Sequence, residues 1–376
     1  MRNKRLILLV LSLCIAVVMI AGACTAPAPS PTPSPTPSPS PTPTPTTTPT
    51  PTPPAEEVFE WRWQSHQPPT DPEYASTIVN MVDRVEEMSD GRIQIELFSG
   101  GTLVPSTEIF ASTKQGVFEI GSSAASYWKG IMPEMLVTIF PMGYRNGDDQ
   151  SAVWFKAGLK EFMEESYDAS GVKLLTMVQS PSMPLLSTRP INKVEDFEGL
   201  MIRTHSATAL LVERLGANTI MIPGEEIYTA LQLGTAEAMT WGGLSTLYLN
   251  NWYEQAKYVL EDPPMIPNFM NDDIYVNMDA WDSLPDDLKQ VFLTAANLAY
   301  FENGVAFRTE DRIAKQKMLA AGVEFTTLSE ADKLVVQEMA EEVWDIIADE
   351  SPRAKQGVKI ITDYLRLQGY TDYKIE

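Results

Sequence analysis

The stretch "GLMIRTHSATALLVERLGANTIMIPGEEIYTALQLGTAEAM" (199–239) alternates short apolar runs with helical stripes. "LMIR" (200–203) and "NTIMI" (218–222) are too short and apolar for helices and suit buried strands. "SATALLVERLG" (206–216) and "PGEEIYTALQLG" (223–234) carry apolar residues at helical spacing, the first opening on a Ser cap and ending at Gly. Strand, helix, strand, helix and strand in that order predict parallel strands joined by crossover helices. Arg203 ends the first strand. A guanidinium at that place is costly to desolvate unless an anion meets it. Two readings stay open there: a bidentate grip on a ligand carboxylate, or an internal ion pair with one of many acids.

The same order occurs earlier in the chain. "VFEWRWQ" (58–64) alternates like a strand, 73–88 carries a helical stripe, and "DGRIQIELF" (90–98) is turn then strand. A helix from Ser106 to about Gln115 and a strand "VFEIGSS" (117–123) follow, ending at Ser123. "EIFASTKQGVFEIG" (108–121) set beside "EIYTALQLGTAEAM" (226–239) shares Glu, Ile, an aromatic, Gly and a later Glu. The two segments are read as lobes of related topology. Residues 280–376 are mostly helical, with Pro285 as an entry signal.

The first residues indicate export. Arg2, Lys4 and Arg5 precede an apolar run, Leu6 to Ile20, then "AGAC" (21–24), the arrangement of a secretory signal. The run is short for a membrane span. Ala21 and Ala23 fit ordinary cleavage, whereas "AGAC" resembles a lipobox that would make Cys24 a lipidated N-terminus anchored in the membrane. Cys14 leaves with the signal, so the exported chain has no disulfide. Residues 25–54 are nearly pure Pro, Thr and Ser, a tether extended by polyproline geometry.

Composition excludes more than it assigns. The chain has 50 acidic against 28 Lys and Arg residues, a formal net charge of −22, and so repels nucleic acid. With only two histidines, His66 and His205, a histidine metal cluster or triad has little material. There is no Walker loop, GxGxxG or CxxC, and Gly100-Gly101 reads as a turn. Acidic pairs such as Asp272-Asp273 and Glu225-Glu226 read as solvated faces or helix N-terminal charges, so no pair marks a hydrolase. What rises above background is recognition. Trp241 closes the strand "TAEAMTW" (235–241) of the same lobe, and Tyr127-Trp128 follow the strand at 117–123. Each is read either as a core aromatic or as a cleft wall at the carboxyl ends of strands.

With those residues in hand, the chain resembles the DctP-type solute-binding proteins of TRAP (tripartite ATP-independent periplasmic) transporters across nearly all of 58–350. The strongest block is 191–239, close to the pattern N-x-x-x-D-x-x-G-x-K-x-R, then L-G-A, then E-V/I-Y-x-A-L-Q-x-G. "SDGRIQIELFSGGTL" (89–103) and "AWDSLPDDLKQVF" (280–292) match two further blocks. The resemblance implies an α/β, two-lobed periplasmic-binding-protein-like fold with hinge strands and long C-terminal helices. It implies lobe I at 56–180 plus about 268–306 and lobe II at 181–267 plus about 307–376, after a signal at 1–23 and a tether at 24–55. It implies no enzyme activity, but capture of a small organic acid for delivery to TRAP membrane subunits. A ligand-sensing surface lipoprotein is the alternative.

The family's carboxylate clamp falls on Arg203. Trp241 stands where many members have Asn, which resembles 2-oxo-acid and lactate binders. Thr240 and Gly242 beside it lack the acidic neighbour that helps hold a metal there, so neither metal nor cofactor is expected. A second Arg or a Gln falls on Met183 before Arg189, with Gln179 four residues away as a substitute. His66, in the "SHQPP" loop, matches a loop that borders the cleft. The implied ligand-binding set is Arg203, Trp241, Tyr127, His66, Ser123 and Gln179, holding a small monocarboxylate such as a 2-oxo or 2-hydroxy acid.

Overall fold

The computed structural model describes residues 57–265, 269–270 and 272–375. The signal, Cys24 and the Pro/Thr/Ser tether lie outside them. Two mixed sheets organise the rest. The first has the order β2-β1-β3-β10-β4, from β1 (Phe59–Ser65), β2 (Ile93–Phe98), β3 (Ile120–Ala124), β4 (Val172–Met177) and β10 (Asp272–Asn277). The second has the order β11-β9-β5-β8-β6-β7, from β5 (Leu185–Ser187), β6 (Met201–Arg203), β7 (Asn218–Ile220), β8 (Ala238–Met239), β9 (Tyr258–Asp262) and β11 (Glu324–Thr327).

The two predicted repeats occupy equivalent slots. β1 runs parallel to both β2 and β3, and β6 runs parallel to both β7 and β8. An antiparallel strand borders each set: β10 beside β3, and β5 beside β8. The identities between 108–121 and 226–239 have physical causes. Pro105 and Pro223 each open a short 3-10 turn, and Glu108 and Glu226 each stand before the helix that follows. Gly116 and Gly234 end those helices at φ of 72° and 71°. Glu119 accepts a hydrogen bond from Arg62 N of β1, and Glu237 accepts one from Met201 N of β6. In both sheets a carboxylate satisfies a backbone donor of the neighbouring strand.

Each sheet takes in strands from outside its own repeat, β4 and β10 in the first and β5, β9 and β11 in the second. The chain leaves the first sheet after β4, builds β5 to β9, and returns through β10 to lie between β3 and β4. Apolar periodicity gives the long helix Asp286–Ala320, which at about 1.5 Å per residue spans roughly 50 Å. Leu288, Phe292, Ala295 and Ala299 pack in the core of the first sheet with Trp63, Met81 and Val85. Ala314 and Met318 of the same helix pack with Ile227, Met239 and Val259 of the second.

Local differences from the sequence reading are instructive. Ser206 does not cap its helix: it lies at φ 60°, and His205 ahead of it makes no side-chain cap bond. β8 is only two residues long. The C-terminal segment does not follow the second sheet alone. Helix Pro352–Leu367 packs on Pro133–Thr138 and Leu159–Ala169, and helix Glu330–Asp349 packs on Ser206–Arg214. Trp344 fixes that docking. It is fully buried, stacks on Phe140 at 5.0 Å and donates from Nε1 to the carbonyl of Pro141 at 2.8 Å. Trp344→Ala is expected to cost about 3–5 kcal/mol, read as a lower urea midpoint at unchanged slope. An unchanged midpoint would show that the C-terminal helices contribute little to the core.

Candidate ligand-binding site

The carboxyl ends of β1, β3, β6 and β8 carry His66, Tyr127, Arg203 with His205, and Trp241. Arg203 is fully buried. Its Nε donates to the carbonyl of Ile222 at 2.8 Å, and Nη1 donates to the carbonyl of Thr240 at 3.0 Å. Its guanidinium lies 4.7 Å from the centre of the Trp241 ring, a cation–π contact. Nη2 has no partner, and among the described residues no carboxylate forms an ion pair with Arg203. Burial pulls this guanidinium down to about 10, partly offset by Tyr127 and Glu225. An arginine held by carbonyls, with one donor free and no carboxylate in contact, has the electrostatics of a site awaiting an anion.

Around it the aromatic rings form a wall. His66 stacks on Trp241 at 6.4 Å and meets Tyr127 edge-on at 5.9 Å, while Tyr127 is 5.8 Å from His205. Two hollows meet at this wall, of about 450 and 1600 Å³ of empty space, and His66, Tyr127 and Trp241 line both. The smaller is closed by Met183, Phe269 and Phe307 as well as polar groups. Arg203 stands one layer behind the lining, beneath Trp241. Gly224 permits this arrangement, since a Cβ there would meet the Trp241 ring at 2.6 Å. Gly100 does similar service for His66: its amide donates to the Gln67 carbonyl at 3.0 Å, and a side chain would run into the His66 backbone. Gly100 is therefore more than the turn read from sequence, although Gly101 does turn, at φ 73°.

Arg203, Trp241, Tyr127 and His66 come together. Ser123 and Gln179 do not join them. Strand alternation turns the Ser123 hydroxyl into the core, 2.8 Å from that of Tyr275. Gln179 reaches the long helix, where Gly304 leaves room for it. Its Nε2 donates to the Gly147 carbonyl at 2.6 Å and its Oε1 accepts from Arg308 at 3.0 Å. The loop after β4 instead offers Ser180, Pro181 and Met183 to the hollow.

Sequence reasoning missed every titratable residue of the smaller hollow's lining except His66 and Tyr127: Asp71, Glu73, His205 and Asp272, along with Gln67. The chain's only two histidines both lie here, which was a usable signal. The acids gave none, in so acidic a chain. Asp272-Asp273 is not a solvated pair. Asp273 is fully buried, bonded by the Tyr167 hydroxyl, and Asp272 faces the hollow with Oδ1 3.0 Å from His66 Nε2. Asp71 accepts from Glu73 N at 2.8 Å and from Thr246 at 3.4 Å. Burial drives the Asp71 carboxyl up to about 7 and that of Glu73 well above its usual range, with Asp272 adding repulsion to both. Burial and the Arg203 cation hold His205 down at about 3, neutral at pH 7. Tyr127 is pushed up to about 12 by burial. Among the described residues no group of three or more His, Cys, Asp or Glu is arranged to hold a metal ion.

The Asp71 shift has a definite sign. A carboxyl at 3.8 unfolded and about 7 folded holds its proton better in the native state. The stability it adds is full below about pH 4 and is lost as pH rises to about 7. Ligand-free Asp71→Asn should therefore match the wild type near pH 4 and exceed it near pH 7, by roughly 4 kcal/mol at most. His205 titrates in both proteins and cancels. Superimposable melting profiles across that range would refute the assignment.

Comparison with known proteins accords with this geometry. Residues 64–351 match the family model DctP, bacterial extracellular solute-binding protein, family 7. A monocarboxylate 2-oxoacid-binding periplasmic protein of Nostoc sp. is 26% identical over 290 residues, 73% of this chain and 75% of that protein. A TRAP periplasmic solute-binding protein of Pseudoalteromonas atlantica, solved with sodium and pyruvate, superposes with a TM-score of 0.77 at 27% identity, covering 84% of this chain and 96% of that one. Another from Colwellia psychrerythraea, with calcium and pyruvate, gives 0.76 at 25% identity and coverage of 84% and 97%. A strand-end arginine walled by aromatics, on this fold and across this matched span, makes the chain a member of the DctP family of TRAP extracytoplasmic solute-binding proteins, a receptor and not an enzyme.

Proposed function

We propose that this receptor captures a small monocarboxylate, with Arg203 as the carboxylate clamp and Trp241, Tyr127 and His66 as the wall around it. The single observation that carries the reading is the buried Arg203 guanidinium, with Nη2 unpartnered and no carboxylate in ion-pair contact with it among the described residues. An anionic ligand completes this hydrogen-bonding set, and a carboxylate matches its fork. The 2-oxo and 2-hydroxy acids are the first members of the class to test, because 2-oxoacid and pyruvate binding belongs to the relatives named above.

Two lobes, 56–180 with about 268–306 and 181–267 with about 307–376, close over the ligand and present it to TRAP membrane subunits. The chain crossing after β4 is a natural hinge, because it joins the two sheets. The C-terminal helices, which pack on elements of both segments, ride with this closure. The proline-rich segment tethers the receptor to the membrane through a lipidated Cys24.

Titration calorimetry with lactate and pyruvate should show binding that Arg203→Ala removes, at a cost of about 3–5 kcal/mol. Equal affinity in Arg203→Ala would discard the clamp. Mass spectrometry of the mature N-terminus should find diacylglyceryl-modified Cys24, and a free N-terminus elsewhere would mean secretion without an anchor.

A further inference from the structure

The smaller hollow is chemically polarised. At the Arg203 side, the buried polar atom lacking a partner is a donor, Nη2. Across the aromatic wall the lining is acidic. Asp71, Glu73 and Asp272 all line the hollow and are buried. Gln67, 4% exposed, lines it with Oε1 unpartnered. His66, 7% exposed, has Nε2 at Asp272 and Nδ1 unpartnered.

Asp71, Glu73 and Asp272 repel one another, which helps keep the first two in the protonated range. Three carboxyls with the unpartnered Gln67 Oε1 are an expensive lining for an apolar or anionic ligand end. They suit a cation with several N–H donors. The two sides are close: Arg203 touches Trp241, Trp241 stacks on His66, and His66 bonds Asp272. Tyr127, between them electrostatically, feels both Arg203 and Asp272.

We propose that the ligand is a monocarboxylate that also carries a cationic nitrogen, its carboxylate meeting Arg203 and its nitrogen meeting Asp71, Glu73 and Asp272. This rests on the reading of Arg203 as the clamp and specifies the other end of the ligand. It orders the affinities as amine-bearing monocarboxylates first, uncharged-end monocarboxylates second and dicarboxylates last.

The test is calorimetry at pH 7 on matched acids of three to six carbons that differ only at one end, such as alanine against lactate and pyruvate, serine against glycerate, and malate as the dicarboxylate. The best amine-bearing member should bind at least about tenfold more tightly than its matched analogues, and Asp71→Asn should shrink that advantage. Circular dichroism confirms that the variant is folded, and the wild-type comparison needs no variant. If lactate or pyruvate binds as tightly as any amine-bearing partner, the cationic end is wrong while the clamp stands. If no acid binds and Arg203→Ala behaves as wild type, both readings fall.

Discussion

One buried cation organises the site. Arg203 sits at the end of β6 with no ion-pair partner among the described residues, held by the carbonyls of Ile222 and Thr240 and by the face of Trp241. Desolvating a guanidinium this far costs several kcal/mol unless its surroundings return the interaction. Carbonyl dipoles and an indole face return part of it. What remains is a standing electrostatic demand for an anion. The neighbours obey the same demand: His205 stays neutral beside the cation, and the second strand end contributes Thr240 and Trp241 where they can support the guanidinium.

The two-sheet architecture explains how such a site is assembled. In each sheet the central parallel strands end on one edge, and their ends present one functional residue each. Because β10 returns to the first sheet, Asp272 at its start lies opposite Ala124 at the end of β3. That antiparallel insertion carries the acid to the edge where His66 and Tyr127 already stand. The long helix Asp286–Ala320, packed into both cores, ties the two sheets behind the site.

The glycines and carboxylates shared by the two repeats work as scaffolding. Glu119 and Glu237 each close a backbone donor of the adjacent strand, which fixes where β3 and β8 begin. Four identities in a short window therefore mark a structural requirement, met twice. Gly100 and Gly224 are different: neither belongs to the repeat, and each exists to let a site residue lie against backbone. Residues with no side chain place His66 and Trp241 as firmly as any contact does.

The local physics of the chain determined a large part of this. Apolar periodicity placed the parallel strands and crossover helices, and the position of Arg203 at a strand end, with Trp241 on the neighbouring strand, was legible because strand ends are where such folds bind. The family blocks in 191–239 are short-range patterns of the same kind. Tertiary structure alone decided which acids matter, since burial is not a property of a residue's neighbours in sequence. Asp71, Glu73 and Asp272 come from two segments some 200 residues apart, and they become a cluster only when β10 is laid beside β3. It also removed Ser123 and Gln179 from the site, because strand alternation and the gap at Gly304 set where those side chains point. Desolvation acts on the assembled site, so the charges it shifts could be named only after folding had brought them together.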